Sequence, residues 1–79
     1  MIKVRYYGLP LHEGILPDEV VCREGLRPID IIEEACAAKG KAPEMFSDLT
    51  YSVNGVLKDG DCLLCDGDEL VMFFPTFGG

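Results

Sequence analysis

Basic residues are scarce in this chain: 7 Lys plus Arg stand against 14 Asp plus Glu, a formal charge of -7 over 79 residues. A phosphate backbone would repel such a protein, so nucleic acid is not an expected partner. No apolar run approaches the roughly 20 residues of a membrane-spanning helix, so no membrane is expected either. The opening, Met1 to Tyr7, interleaves charges with apolar residues and lacks the apolar stretch of a secretory signal. The expected location is therefore cytoplasmic, where the four cysteines would be thiols rather than a disulfide framework. There is a single histidine, His12, beside Glu13, and the sequence assigns it no serine or cysteine to activate. Apart from the last two, the glycines come one at a time at turns, so no glycine-rich phosphate loop is present and ATP is not expected to bind to this chain itself. Asp-Gly-Asp occurs twice, at 59–61 and 66–68, but no longer repeat accompanies it.

Nearly half of the residues are apolar (48%), enough for one small core. Residues 2–7 alternate, with Ile2, Val4 and Tyr6 on one face and Lys3, Arg5 and Tyr7 on the other, the period of a half-buried strand. Gly8, Pro10, Gly14 and Pro17 punctuate a loop, and residues 19–23 resume an extended pattern, suggesting an N-terminal hairpin. Residues 28–38 read as a helix with Pro28 in the first turn and Gly40 as the stop. Two apolar stripes compete on it, Pro28, Ile31, Ile32 and Ala35 against Ile29, Ile32 and Cys36. After a polar connection around Pro43 and Ser47, residues 49–53 are strand-like and run into Asn54-Gly55, a strong hairpin signal. Val56-Leu57 starts the return, and a turn at 66–68 leads into a last strand over 69–74. Its near-continuous apolar character suggests a central position buried on both faces. The expected fold is α+β, a mixed sheet of about four to five strands packed on one helix, with the first and last strands side by side. That is the ubiquitin-like β-grasp arrangement, spanning residues 1–74 with a tail at 75–79.

Cys62-Leu63-Leu64-Cys65 has the spacing of a redox dithiol or half a zinc site. A redox pair belongs at a helix N-terminus, whereas this one lies between aspartate turns whose charges would raise its thiol pKa. The other candidate zinc ligands, Cys22, Cys36 and His12, fall on a strand, a helix and a loop. A dimer sharing zinc through two such pairs is the most plausible metal form, but the expected reading is a short strand or loop without metal. Cysteine spacings of 14, 26 and 3 also miss the plant-type ferredoxin pattern. Calcium is not expected, because Leu63 follows Asp59 and Asp61 where a calcium loop needs another oxygen ligand. Asp59, Asp61, Asp66, Asp68 and Glu69 form a stretch with no basic residue among them, either a solvated face or a surface steering a basic partner.

The segment after the last strand combines Pro75, which stops a strand, with the aromatic anchors Phe74 and Phe77 and with Gly78-Gly79. Two glycines without Cβ atoms let backbone enter a channel too narrow for other residues. With its order of elements, Asp30-Ile31-Ile32, Val53-Asn54-Gly55, Asp66 to Leu70 and Phe74-Pro75-Thr76-Phe77-Gly78-Gly79, the chain resembles the ubiquitin-like sulfur carriers (MoaD and ThiS type). The likeness is greater to the small subunit of molybdopterin synthase.

The resemblance implies a non-catalytic carrier subunit whose Gly79 carboxylate carries the chemistry. A ubiquitin-activating-type adenylating enzyme would spend ATP to form an acyl-adenylate on Gly79, and a sulfur donor would convert this to a thiocarboxylate. Phe74, Pro75, Thr76, Phe77 and Gly78 would contact partners, and the acceptor would be the molybdopterin-synthase large subunit or an analogous enzyme. Phe77 stands where family members usually carry a small residue, which implies a wider partner entrance and leaves room for a thiamine, tungsten-cofactor or cysteine-type pathway. Two further readings compete. Gly79 could be conjugated to lysines of target proteins as ubiquitin is, or Cys62 and Cys65 could serve a metal-binding or interaction module.

Overall fold

Alternation along the first strand decides which way the molecule is built, because its apolar members need a cover and its charged members need water. In the computed structural model, which describes residues 1–7, 14–46 and 48–73, strand β1 (Ile2–Tyr7) buries Ile2 and Val4 and exposes Lys3, Arg5 and Tyr7. The remaining elements are β2 (Glu19–Val20), α1 (Pro28–Lys39), a 3-10 helix (Pro43–Phe46), β3 (Thr50–Val53), β4 (Val56–Lys58) and β5 (Glu69–Phe73). The five strands form one mixed sheet in the order β2-β1-β5-β3-β4. β1 and β5 run parallel at its centre, with Val4 opposite Leu70 and Tyr6 opposite Met72, and the other pairings are antiparallel. This is an α+β, β-grasp-like fold. Among the described residues no helix is long and apolar enough to cross a membrane.

Helix α1 begins where local chemistry allows it. Pro28 occupies the first turn, where its missing N–H has no helical partner to lose. The carboxylate of Asp30 accepts the backbone N–H of Arg27 at 3.0 Å and the Arg27 guanidinium at 2.9 and 3.0 Å. Those hydrogen bonds, with the charge of Arg27, hold the Asp30 carboxyl below its ordinary pKa. The helix ends at Gly40 in the left-handed region (φ 68), and the Lys41 N–H returns to the Cys36 carbonyl at 2.9 Å.

Because the folded carboxyl titrates lower than the unfolded one, its stabilisation is present above about pH 3.9 and is lost as the pH falls through the folded pKa. Asp30→Ala is thus expected to cost about 1 kcal/mol at neutral pH, as loss of a helix cap does. Urea unfolding of the two proteins should show that gap constant down to about pH 4 and closing below it.

Helix and sheet enclose one core of Ile2, Val4, Leu26, Ile31, Ile32, Cys36, Phe46, Val53, Leu70 and Met72, extended by Ile15, Leu16 and Leu64. Neither competing stripe on α1 is followed whole. Pro28, Ile31, Ile32 and Cys36 are buried, while Ile29 and Ala35 are half-buried. The Asn54-Gly55 turn has the expected positive φ at both residues, 53 and 84. The Asn54 side chain ties it to the start of β5, donating to Asp68 and accepting the Glu69 N–H, both at 2.9 Å.

Three expectations need correction. The second strand is two residues long instead of five, because only Glu19 and Val20 lie in register with β1 and the chain then turns toward the helix. The connection at 43–47 is not merely polar: Pro43–Phe46 forms a turn of 3-10 helix that drives Phe46 into the core at 2% exposure. Strand β5 is central as expected, yet it is not buried on both faces. Leu70 and Met72 are at 0%, whereas Glu69, Val71 and Phe73 are half-buried on the other face, which no helix among the described residues covers. The expected continuation of this strand to Phe74, the domain boundary at 74 and the tail 75–79 lie outside the described residues.

Candidate functional site

The residues expected to carry function, Phe74, Pro75, Thr76, Phe77, Gly78 and Gly79, lie outside the described residues, as does His12. What the structure describes is the element that leads to them. β5 is hydrogen-bonded on both sides, and its last described residue, Phe73, is opposite Tyr7 of β1 and Thr50 of β3. A strand gripped by two neighbours is the most rigid anchor a sheet provides, so whatever follows Phe73 departs from a fixed point.

The Cys62 to Cys65 segment forms no strand; it is a loop between β4 and β5. Leu64 anchors it, buried at 5% with its N–H donating to the Leu26 carbonyl at 2.9 Å. Cys62 is half-buried, Cys65 exposed, and all four cysteines are free thiols. The Cys62 thiol is pushed up, as expected, although the first cause is burial and the charges of Asp59 and Asp68 come after it. Among the described residues no group of three or more His, Cys, Asp or Glu converges as a metal site.

The acidic stretch is largely engaged within the molecule. Asp61 accepts from Arg27 at 3.2 Å, Glu69 from Arg5 at 2.9 Å, and Asp66 from the amino group of Met1. Asp68 caps its own turn, accepting the Cys65 N–H at 2.8 Å. Most of that face therefore braces the β5 end of the fold instead of forming an unbroken negative patch. The pairs are exposed, so each contributes little to stability.

Two clefts flank α1. One, of about 450 Å3, lies between α1, β2 and residues 14–17, with Ile15, Leu16, Val20, Ile31 and Ala35 in its walls. The other, of about 330 Å3, lies between α1, the 3-10 helix and β3, lined by Ile29, Ile32, Glu33, Pro43, Glu44, Phe46 and Tyr51. Local geometry places the Tyr51 wall of this second cleft. Gly60 lets the Tyr51 ring approach so closely that a Cβ there would lie 3.0 Å from it, and the Gly60 carbonyl also accepts the Ile29 N–H at 3.1 Å. Burial and then the charge of Asp61 push the Tyr51 hydroxyl up, and burial and then Glu44 do the same to the Cys36 thiol. Sequence reasoning missed this cleft, since its walls come from three separate elements. The available signal was Met45-Phe46, an apolar pair set between Glu44 and Ser47-Asp48. Compared with protein-family models and with curated proteins, the chain matches none.

Proposed function

We propose that this protein is a sulfur carrier whose reactive group is the α-carboxylate of Gly79, at the carboxyl end of the mature chain. The observation that carries the reading is the run Phe74-Pro75-Thr76-Phe77-Gly78-Gly79 directly after β5, the central strand of a β-grasp-like sheet. A carboxylate is a poor electrophile, so its activation falls to an adenylating partner. Its oxygen attacks the α-phosphorus of ATP and pyrophosphate leaves; hydrosulfide released by the sulfur donor then attacks the acyl carbon, AMP leaves, and loss of the S–H proton gives the thiocarboxylate. Phe74, Pro75, Thr76, Phe77 and Gly78 present that group to partners, with the aromatic rings as anchors and glycine for close backbone approach. The acceptor is an enzyme of molybdopterin-synthase type, which takes the sulfur for cofactor biosynthesis in the cytoplasm. This chain contributes the carried group, and its partners contribute catalytic side chains.

The test is direct. The protein is incubated with ATP, a ubiquitin-activating-type adenylating enzyme and a sulfur donor, and its intact mass is measured. Replacement of one oxygen by one sulfur is expected in the full chain and absent after deletion of Gly79. No mass increase, or an increase that survives the deletion, overturns the reading.

A further inference from the structure

The cleft between α1, the 3-10 helix and β3 has an apolar floor and an acidic rim. Ile29, Ile32, Phe46 and Tyr51 supply the floor, and the exposed Glu33 and Glu44 stand on opposite walls. Beside Tyr51 the cluster of Asp30, Arg27 and Asp61 carries one further net negative charge. Of the cations on its borders, Arg27 is held by Asp30 and Asp61, and Lys58 of β4 is the cross-strand partner of Tyr51, on the side of the cleft away from Glu33 and Glu44. At about 330 Å3 the cleft sits at the small end of the roughly 300–1,000 Å3 range of binding pockets, a fit for one large side chain.

We propose that this cleft docks a basic polypeptide segment of a partner protein. One aromatic or aliphatic side chain enters between Ile29, Ile32, Phe46 and Tyr51, and flanking lysine or arginine meets Glu33 and Glu44. Charge complementarity selects this occupant. A second copy of the chain brings its own charge of -7 toward the rim and is repelled. The cleft is also well placed. Tyr51 and Thr50 lie in register with Met72 and Phe73, so it opens at the end of the sheet where the chain leaves β5. A partner held there sits beside Phe73, the last described residue of β5. The inference does not rest on the chemistry proposed for Gly79, and deleting Gly79 leaves the docking intact.

The experiment titrates the 15N-labelled full chain, at low salt, with the capped peptide Arg-Lys-Phe-Lys-Arg. Saturable amide shifts are expected at residues 29–33, 43–46 and 51. Affinity should fall about tenfold or more when alanine replaces the central Phe, the equivalent of one lost apolar anchor. It should fall by a similar factor, about tenfold, in the E33K/E44K double variant, and should weaken with added salt. Both glutamates are exposed, and E33Q/E44Q provides a milder variant with the same expected direction. Equal affinity for the Phe and Ala peptides overturns the proposal, as do shifts spread over the acidic surface that both double variants leave unchanged. Shifts at the cleft on concentrating the protein alone, without peptide, overturn it in favour of a second copy.

Discussion

Phe46→Ala is expected to cost about 3–5 kcal/mol, the usual loss when a buried aromatic side chain is truncated. The ring is 2% exposed and belongs to the group of largest fully buried side chains. It also joins the 3-10 helix to the core beneath α1. A domain of 79 residues has a total stability of only about 4–12 kcal/mol at typical per-residue values, so the variant is expected to be largely unfolded or close to it at 37 °C. Urea or thermal unfolding followed by circular dichroism measures this. A loss under about 1 kcal/mol would mean that the ring is not packed as described.

The second large effect separates the two faces of β5. Leu70→Ala is expected to cost about 2–5 kcal/mol, because Leu70 is at 0% exposure between β1 and β3 and belongs to the core. Val71→Ala, one residue along on the half-buried face, is expected to cost about 1 kcal/mol or less, most of it from reduced strand propensity and partial burial. Denaturant midpoints of the two variants, taken at unchanged slope, give the comparison. Equal losses would mean that the second face is covered in solution.

Those two residues show how far local pattern reaches. Leu70-Val71-Met72-Phe73 is continuously apolar, and continuity was legible as a central strand, which β5 is. Burial of both faces was not legible, because it depends on how many layers the chain can supply. Among the described residues there is one α-helix, and of the β5 residues only Leu70 and Met72 are fully buried. The helix shows the same limit. Its start at Pro28 and its stop at Gly40 are backbone chemistry written into single residues, whereas the buried set, which mixes both candidate stripes, joins a core drawn from the sheet and the 3-10 helix. The pairing of Asp61 with Arg27 and of Glu69 with Arg5 could not be read from spacing, since the partners are 34 and 64 positions apart. For the site, Gly78-Gly79 and the aromatic residues before it were visible as a pattern. The cleft at Glu33, Glu44 and Tyr51 was not.

The amino-acid sequence by itself determined the alternation of β1, the ends of α1, the turn at Asn54-Gly55 and the order of elements. Each of these is a local matter of φ/ψ preference, capping or period. Only the tertiary structure decided that β2 is two residues long, that Phe46 is core, that one face of β5 is only half-buried and that an acid-rimmed cleft opens beside its end. Those outcomes depend on contacts between residues far apart in the chain, where layer geometry and packing, rather than local preference, set the lowest free energy.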